Sequence, residues 1–396
     1  MGASMHKTSQ PGRLGIIGGG QLGMYLCQAA RSLGVKATVL MPRHQESASY
    51  EADAVIEADL DDTVALEQLI QDSDVITFEW EAIPDEALQV LQTAEERLEV
   101  RVHPGLDALR LLRDKGSQKD WLVKEGLPTL PYSVVTPGEG FSLAGLEQGT
   151  LPLVQKSCRG GYDGKGVQMI RSPRDLEKLW PVPSVLEPLL ENCREAAVIV
   201  ARSSDGEIAS YPAVSMEFDA RFNAVASVTS PAVIPVELQE TCEAVARRAV
   251  ARLGAVGVFA VEFFIDEEAR VYVNEISPRV HNSGHLTMEA FAASQFEQHV
   301  RAVMGLPLAP VAPRSSAAVM LNILFDLTWE NQCKTPQGKL QVEAGPDTRL
   351  HWYGKSRGTE GRKMGHVTAL GPSASLAAAK ARRALSECSL QEAQCR

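Results

Sequence analysis

Apolar and polar positions change their period along the chain, and the changes divide it into regions. An apolar run at 14–17 predicts a short buried strand, followed by a glycine cluster and then helical spacing over 22–33. Gly34 stops that helix, and the run at 36–40 predicts a second strand. A helix over 63–70 and a strand over 74–78 continue the alternation, so residues up to about 112 read as a parallel α/β unit. In such a unit the ligand site lies at the carboxyl ends of the strands. From Asp114 the pattern differs. A helix reaching Glu125 stops at Gly126 and Pro128, and short strands follow at 151–155, 167–170, 185–190 and 196–201. A helix over 238–253 precedes a strand pair at 258–265 and 271–276. The Pro-rich stretch 307–313 reads as a linker, 317–324 as a strand, and 375–385 as an Ala-rich helix.

The 396 residues exceed one ordinary core and imply two or three domains. Fifty acidic residues against 39 basic ones argue against nonspecific binding to nucleic acid or an anionic membrane. No apolar run approaches the ~20 residues that span a bilayer. Seven cysteines, an odd number without a CxxC pair, fit free thiols in a reduced compartment, so a cytoplasmic location is expected. Residues 1–12 are polar and carry no apolar signal core.

Six stretches carry candidate chemistry. Gly18-Gly19-Gly20-Gln21-Leu22-Gly23 satisfies GxGxxG between a strand and a helix, a geometry that turns backbone amides toward a phosphate. The second strand runs into Met41-Pro42-Arg43 without the carboxylate a dinucleotide ribose requires, which favours a phosphosugar over a nicotinamide cofactor. In Thr77-Phe78-Glu79-Trp80-Glu81, strand alternation puts Glu79 and Glu81 on one side, near that loop. Lys156 and the segment Gly160-Gly161-Tyr162-Asp163-Gly164-Lys165-Gly166 suit a lid over polyphosphate, although the Walker spacing is absent. On the pair 258–276, Glu262 and Glu275 fall nearly opposite each other among apolar residues. Two such carboxylates repel unless a cation lies between them, and oxygen-ligated magnesium is the natural one. The loop Ser277–His285 that follows reads as a polar site loop, and its two histidines lack the third ligand of a zinc site. Tyr353-Gly354-Lys355 and Arg362-Lys363-Met364-Gly365-His366 gather cations that suit either a solvated face or a phosphate monoester.

Together GGGQLG, GGYDGKG, NEISPRVHNSGH and GRKMGH resemble the ATP-grasp superfamily, and within it the 5-(carboxyamino)imidazole ribonucleotide synthases, from about residue 15 to 366. The resemblance implies a mixed α/β and α+β fold: a Rossmann-like pre-ATP-grasp domain over 1–112, an ATP-grasp domain with a lid subdomain over 113–312, and a small C-terminal domain over 313–396. It implies a homodimer acting on ATP, bicarbonate and aminoimidazole ribonucleotide with Mg2+. Lys115 and Lys156 match groups on the ATP phosphates, Gly161, Tyr162, Asp163, Gly164, Lys165 and Gly166 the lid, and Glu187, Pro188, Leu189 and Leu190 the adenine segment. Glu195 matches the acid on the nucleotide ribose, and Glu262 and Glu275 the metal ligands, with Asn274 beside them at the nucleotide. Gly20, Gln21, Leu22, Glu79, Asn282, Lys355, Arg362 and Lys363 match the ribonucleotide cradle. Tyr162, Asp163, Lys165, His281 and Lys355 match groups near the carboxylation centre. Met24, Phe218 and Leu286 depart from the residues common at those places. A formate-dependent glycinamide ribonucleotide transformylase, sharing the acids and the basic tail, is the nearest rival. A nicotinamide oxidoreductase rests on GxGxxG alone, and a noncatalytic nucleotide sensor would keep ATP binding without turnover.

Overall fold

The computed structural model describes residues 12–42, 47–136, 151–161, 166–326, 339–341, 345, 347–355, 358–386 and 389–391. The first region is a parallel sheet of β1 (Arg13–Ile17), β2 (Lys36–Met41), β3 (Ala54–Glu57), β4 (Val75–Phe78) and β5 (Arg101–Val102), in the order β3-β2-β1-β4-β5. Helices α1 (Gln21–Ser32), α2 (Thr63–Gln71) and α3 (Asp85–Glu96) connect these strands. Four consecutive buried residues in β1 and again in β4 reflect a sheet covered on both faces. Asp62 caps α2 by accepting from the Val64 and Ala65 amides. Because Ile17 pairs with Phe78 in parallel register, the chain leaves β1 at Gly18 and β4 at Glu79 side by side.

Helices α4 (Leu106–Leu112) and α5 (Lys115–Lys124) lead into a four-stranded antiparallel sheet, β6 (Ser133–Val135), β9 (Ser184–Pro188), β7 (Leu153–Ser157) and β8 (Val167–Ile170) in spatial order. Asp114 caps α5 through the Ser117 amide, which places Lys115 at the first helical position. A larger sheet is built on β10 (Arg194–Arg202), with β11 (Ile208–Ser210) beside it, β12 (Val214–Asp219) and β13 (Ala224–Ser230). Helix α6 (Val236–Leu253) covers it, and β14 (Gly257–Ile265) and β15 (Val271–Ser277) form one edge. After α7 (Thr287–Ala290) and α8 (Gln295–Val303), strand β16 (Ala317–Leu324) pairs antiparallel with β13. The C-terminal part therefore extends the same sheet, through β18 (Thr348–Trp352) and β19 (Lys363–Gly371), while β17 (Lys339–Gln341) pairs with β20 (Ser389–Gln391). Helix α9 (Ala374–Ser386) buries Ala377, Ala381 and Ala384 against β16 and β19.

One apolar core joins all three regions: Leu26 and Val39 of the first pack in a cluster with Val258, Phe296, Val300 and Tyr353. Burial of apolar surface on this scale holds the regions in fixed relation. The strands and helices expected from periodicity are present, with ends shifted by a few residues. The elements that periodicity did not reveal include α8 and β19. Their interiors contain Gln295, Gln298 and His299 in one, and Lys363, His366 and Thr368 in the other, all buried. Polar residues inside a core break the apolar pattern by which an element is recognised.

Candidate active site

Strand β15 is an edge strand, and its pairing with β14 contains a bulge. Glu262 stands opposite Glu275, the next aligned pair is Phe263 with Val273, and Asn274 is the extra residue. A bulge lets two consecutive side chains be re-aimed toward one region, which strict alternation forbids. Asn274 Oδ1 accepts from Lys156 Nζ at 2.7 Å, while Glu275 forms an ion pair with Lys115 at the start of α5. Burial and the Glu275 charge push Glu262 well above the usual carboxylate range, whereas Lys115 holds Glu275 below it. The site thus contains one carboxylate that favours its proton and one that keeps its charge, 160 residues from the lysine that neutralises it. Two opposed carboxylates and an amide oxygen form a donor set suited to an oxygen-seeking divalent cation.

His281 approaches Glu262 from the following loop, with Nε2 3.3 Å from Oε1. The Ser283 amide donates to His281 Nδ1, so in the neutral ring Nε2 carries the proton and faces the carboxylate. His285 diverges from it: the ring is fully buried against Tyr25, Phe296 and His366.

Behind the acids lies a second charged layer. Glu187, buried at the end of β9, pairs with Lys156 and, at 2.9 Å, with Lys119. Burial works to raise this carboxyl, but the two lysines outweigh it and hold the group below its ordinary value. Pro188, Leu189 and Leu190 continue from it, half-buried. Burial pushes Glu195 up to about 7, against the pull of Lys156. Gly161 and Gly166 flank the tip of the β7–β8 hairpin, where the Ser157 amide donates to Gly166 O at 2.8 Å. Tyr162, Asp163, Gly164 and Lys165 lie outside the described residues. A cavity of about 210 Å3 opens between Trp80–Asp85, α5, Cys158–Gly161 and Glu275–Pro278.

The GxGxxG loop lies beside Glu79, which directly precedes the cavity-lining Trp80–Asp85. Glu79 accepts from the Gly20 amide and, at 2.7 Å, from the Gly23 amide, so this acid organises the loop through its backbone. Gly18 has φ +110, and a Cβ there would collide with the Glu79 side chain. Burial raises the Glu79 carboxyl, and the two amides and Lys355 act against that. Gln21 and Leu22 open α1 beside it, part-buried. Lys355 Nζ donates to Lys363 O at 2.7 Å, and the charge of the buried Lys363 acts on Glu262. The Arg362 backbone closes a turn with Phe325 at 2.8 Å. Asn282 exchanges amide hydrogen bonds with Asn322 at 3.0 and 2.8 Å. The structure therefore links Gly20 to Glu79 by a hydrogen bond, Lys355 to Glu79 by charge, and Lys363 to Glu262 by charge.

Glu79 and Glu81, expected on one side near the loop, take different partners. Strand β4 ends at Phe78, so alternation no longer governs these residues: Glu79 bonds the glycine loop, while Glu81 forms a two-pronged ion pair with Arg279, whose charge also acts on Glu79. Arg279 and Lys119 were not singled out by sequence reasoning. Arg279 lay inside a quoted motif, and only burial marks Lys119, whose exposure is 3%.

Family models match three successive stretches: a ribonucleotide synthetase preATP-grasp domain over 12–113, an ATP-grasp domain over 120–296 and a phosphoribosylaminoimidazole carboxylase C-terminal domain over 318–380. An N5-carboxyaminoimidazole ribonucleotide synthase of Synechococcus elongatus is 38% identical over 90% of this chain and 88% of its own length.

The chain belongs to the N5-carboxyaminoimidazole ribonucleotide synthase family.

Among solved N5-carboxyaminoimidazole ribonucleotide synthases, the Thermotoga maritima enzyme superposes with a TM-score of 0.81 at 35% identity, covering 96% of this chain and 99% of its own. An Aspergillus clavatus synthase, solved with ADP and 5-aminoimidazole ribonucleotide, gives 0.81 at 29% identity, covering 95% of this chain and 98% of its own. Membership makes the chain an ATP-grasp ligase and sets aside the oxidoreductase, transformylase and sensor readings. Within the synthase fold, Met24 and Leu286 are buried core residues, and Phe218 follows a bulge in β12.

Proposed function

We propose that this chain catalyses the ATP-dependent carboxylation of the exocyclic amine of 5-aminoimidazole ribonucleotide to the N5-carboxyamino product, a step of purine biosynthesis, with bicarbonate as the carbon source. The single observation that carries the reading is that one fold holds both a glycine loop organised by the buried acid Glu79 and an opposed acidic pair, Glu262 and Glu275, whose Glu275 meets Lys115. One bed thus suits a phosphosugar and the other a nucleotide triphosphate.

A bicarbonate oxygen attacks the γ-phosphorus; the new P–O bond replaces the bond to ADP and yields carboxyphosphate. The C–O bond of carboxyphosphate then breaks to phosphate and carbon dioxide, and the amine nitrogen bonds that carbon and loses a proton. Lys115 and Lys156 contact the phosphates and offset charge in the transferring group. The segment Gly161–Gly166 closes over them and excludes water, which would hydrolyse the intermediate. Glu262 and Glu275, with Asn274 beside them, would hold Mg2+, which would supply positive charge against the nucleotide phosphates. Glu187–Leu190 receives adenine and Glu195 the ribose. Gly20, Gln21, Leu22, Glu79, Asn282, Lys355, Arg362 and Lys363 hold the ribonucleotide. His281, with its proton on Nε2, serves as a donor, and Asp163 takes the proton released by the amine. Tyr162, Lys165 and Lys355 orient the reacting carbon. The thiols free among the described cysteines support a cytoplasmic enzyme, and we infer a homodimer from the family resemblance. Among the described residues no helix is long and apolar enough to cross a membrane.

The test is ATP-dependent phosphate release with Mg2+ and bicarbonate, with and without aminoimidazole ribonucleotide. Strong stimulation with a labile carboxylated product is expected; release that ignores the ribonucleotide would overturn the substrate assignment.

A further inference from the structure

Two buried glutamines hold the ends of the segment that joins Glu275 to His281. Gln118, on α5, accepts from the Ile276 amide at 2.7 Å and donates to the Ile276 carbonyl at 3.1 Å. Because β15 is an edge strand, those backbone groups have no neighbouring strand on that side, and the carboxamide takes its place. Gln295, the first residue of α8, does the same for His281: its Oε1 accepts from the His281 amide at 2.9 Å and its Nε2 donates to the His281 carbonyl at 2.6 Å. Gln295 is fully buried, and its own amide donates to Thr287 Oγ1 at 2.9 Å. A Cβ at Gly284 would collide with the Gln295 carboxamide, so the close approach of the loop requires glycine there. Between the clamps, Arg279 reaches Glu81 and His281 reaches Glu262.

We propose that Gln295 is a positioning residue for the reaction: by gripping both backbone groups of His281 it sets the loop so that Nε2 meets Glu262. The proposal rests on the reading of Glu262 and His281 given above. Gln295 touches no reacting atom; its carboxamide also lies 3.4 Å from His285 Nδ1, and the effect proposed for it on the reaction is the one that passes through His281. A backbone held by two bonds from one rigid amide has little freedom to rotate, and a hydrogen-bond donor displaced by an ångström loses most of its value. Losing such support typically lowers activity about 10-fold to 100-fold.

The experiment compares wild type, Gln295→Met, His281→Ala and the double variant in the full chain, reading kcat, KM for ATP and the thermal midpoint. Methionine keeps the length of the side chain and removes both bonds. The expected result is a kcat about 10-fold to 100-fold lower for Gln295→Met, with KM for ATP within about 2-fold of wild type. No further loss is expected when the change is made in the His281→Ala background. A purely structural glutamine would instead lower the midpoint and cost the same with or without His281, which would overturn the proposal. Near-normal turnover in Gln295→Met, with His281→Ala inactive, would overturn the clamp alone. Full activity in His281→Ala would overturn the clamp together with the role given to His281. Should Gln295→Met fail to fold, Gln295→Glu, which keeps the acceptor and loses the amide donor, carries the same comparison.

Discussion

His299 joins the N-terminal sheet to the central one, and its chemistry predicts how the protein responds to acid. Val258 N–H donates to its Nδ1 at 3.1 Å, so the neutral ring carries its proton on Nε2 and donates to Thr77 Oγ1 at 2.7 Å. A protonated ring would lose the acceptor that Val258 needs, in a fully buried site. Burial, with a smaller contribution from His103, lowers the group to about 3. In the unfolded chain the same ring takes a proton near pH 6.5. Below that pH the unfolded state binds more protons than the folded state, so stability falls as pH drops from about 6.5 toward 3. Linkage with those two values gives a loss of roughly 2 kcal/mol between pH 7 and pH 5 from this residue. The measurement is urea unfolding at both pH values for wild type and His299→Gln. Taking the difference between pH values within each protein cancels the neutral-pH cost of the substitution. The variant should lose ~2 kcal/mol less than wild type on acidification. His285 and His366, which burial also holds well below their ordinary value, act in the same direction in both proteins. Equal losses in the two proteins, or an NMR titration of the His299 ring centred near pH 6.5, would refute the reasoning.

Three further outcomes follow from the site. Glu275→Gln should lower turnover about 100-fold or more while the protein stays folded, because it removes a charge facing Lys115 and the phosphates; near-normal turnover by phosphate release would remove Glu275 from the metal site. Glu187→Gln should leave Lys119 and Lys156 buried without their shared counterion and cost about 3–5 kcal/mol of stability; an unchanged urea midpoint would show that the lysines find other partners. Gly18→Ala should raise KM for the ribonucleotide more than KM for ATP and destabilise by roughly 1–3 kcal/mol, since φ +110 disfavours a side chain and its Cβ meets Glu79; equal effects on both KM values would argue that the loop does not serve the sugar.

The acidic pair shows how far sequence can reach. Counting residues across the turn at Asp266–Ala269 brought Glu262 and Glu275 nearly opposite, because antiparallel pairing is a local matter once both strands are recognised. The glycine loop was legible for a similar reason: an apolar run, glycines and a helix in succession permit few backbone paths. By contrast, the bulge at Asn274 leaves no periodic signal, and β4 ends at Phe78, so alternation could not foretell that Glu81 pairs with Arg279.

Sequence by itself therefore determined the kinds of element, the parallel character of the first sheet, the facing carboxylates and, through its motifs, the family. Those features depend on spacing within a few residues or on residue identity. Only the tertiary structure decided that Lys115 meets Glu275, that Lys119 and Lys156 share Glu187, that Arg279 holds Glu81, and that Gln118 and Gln295 grip the loop. Each of these contacts joins residues well apart in the chain, and what creates them is burial: a polar group removed from water must find a partner, and the partner is whichever group the packed core brings within reach.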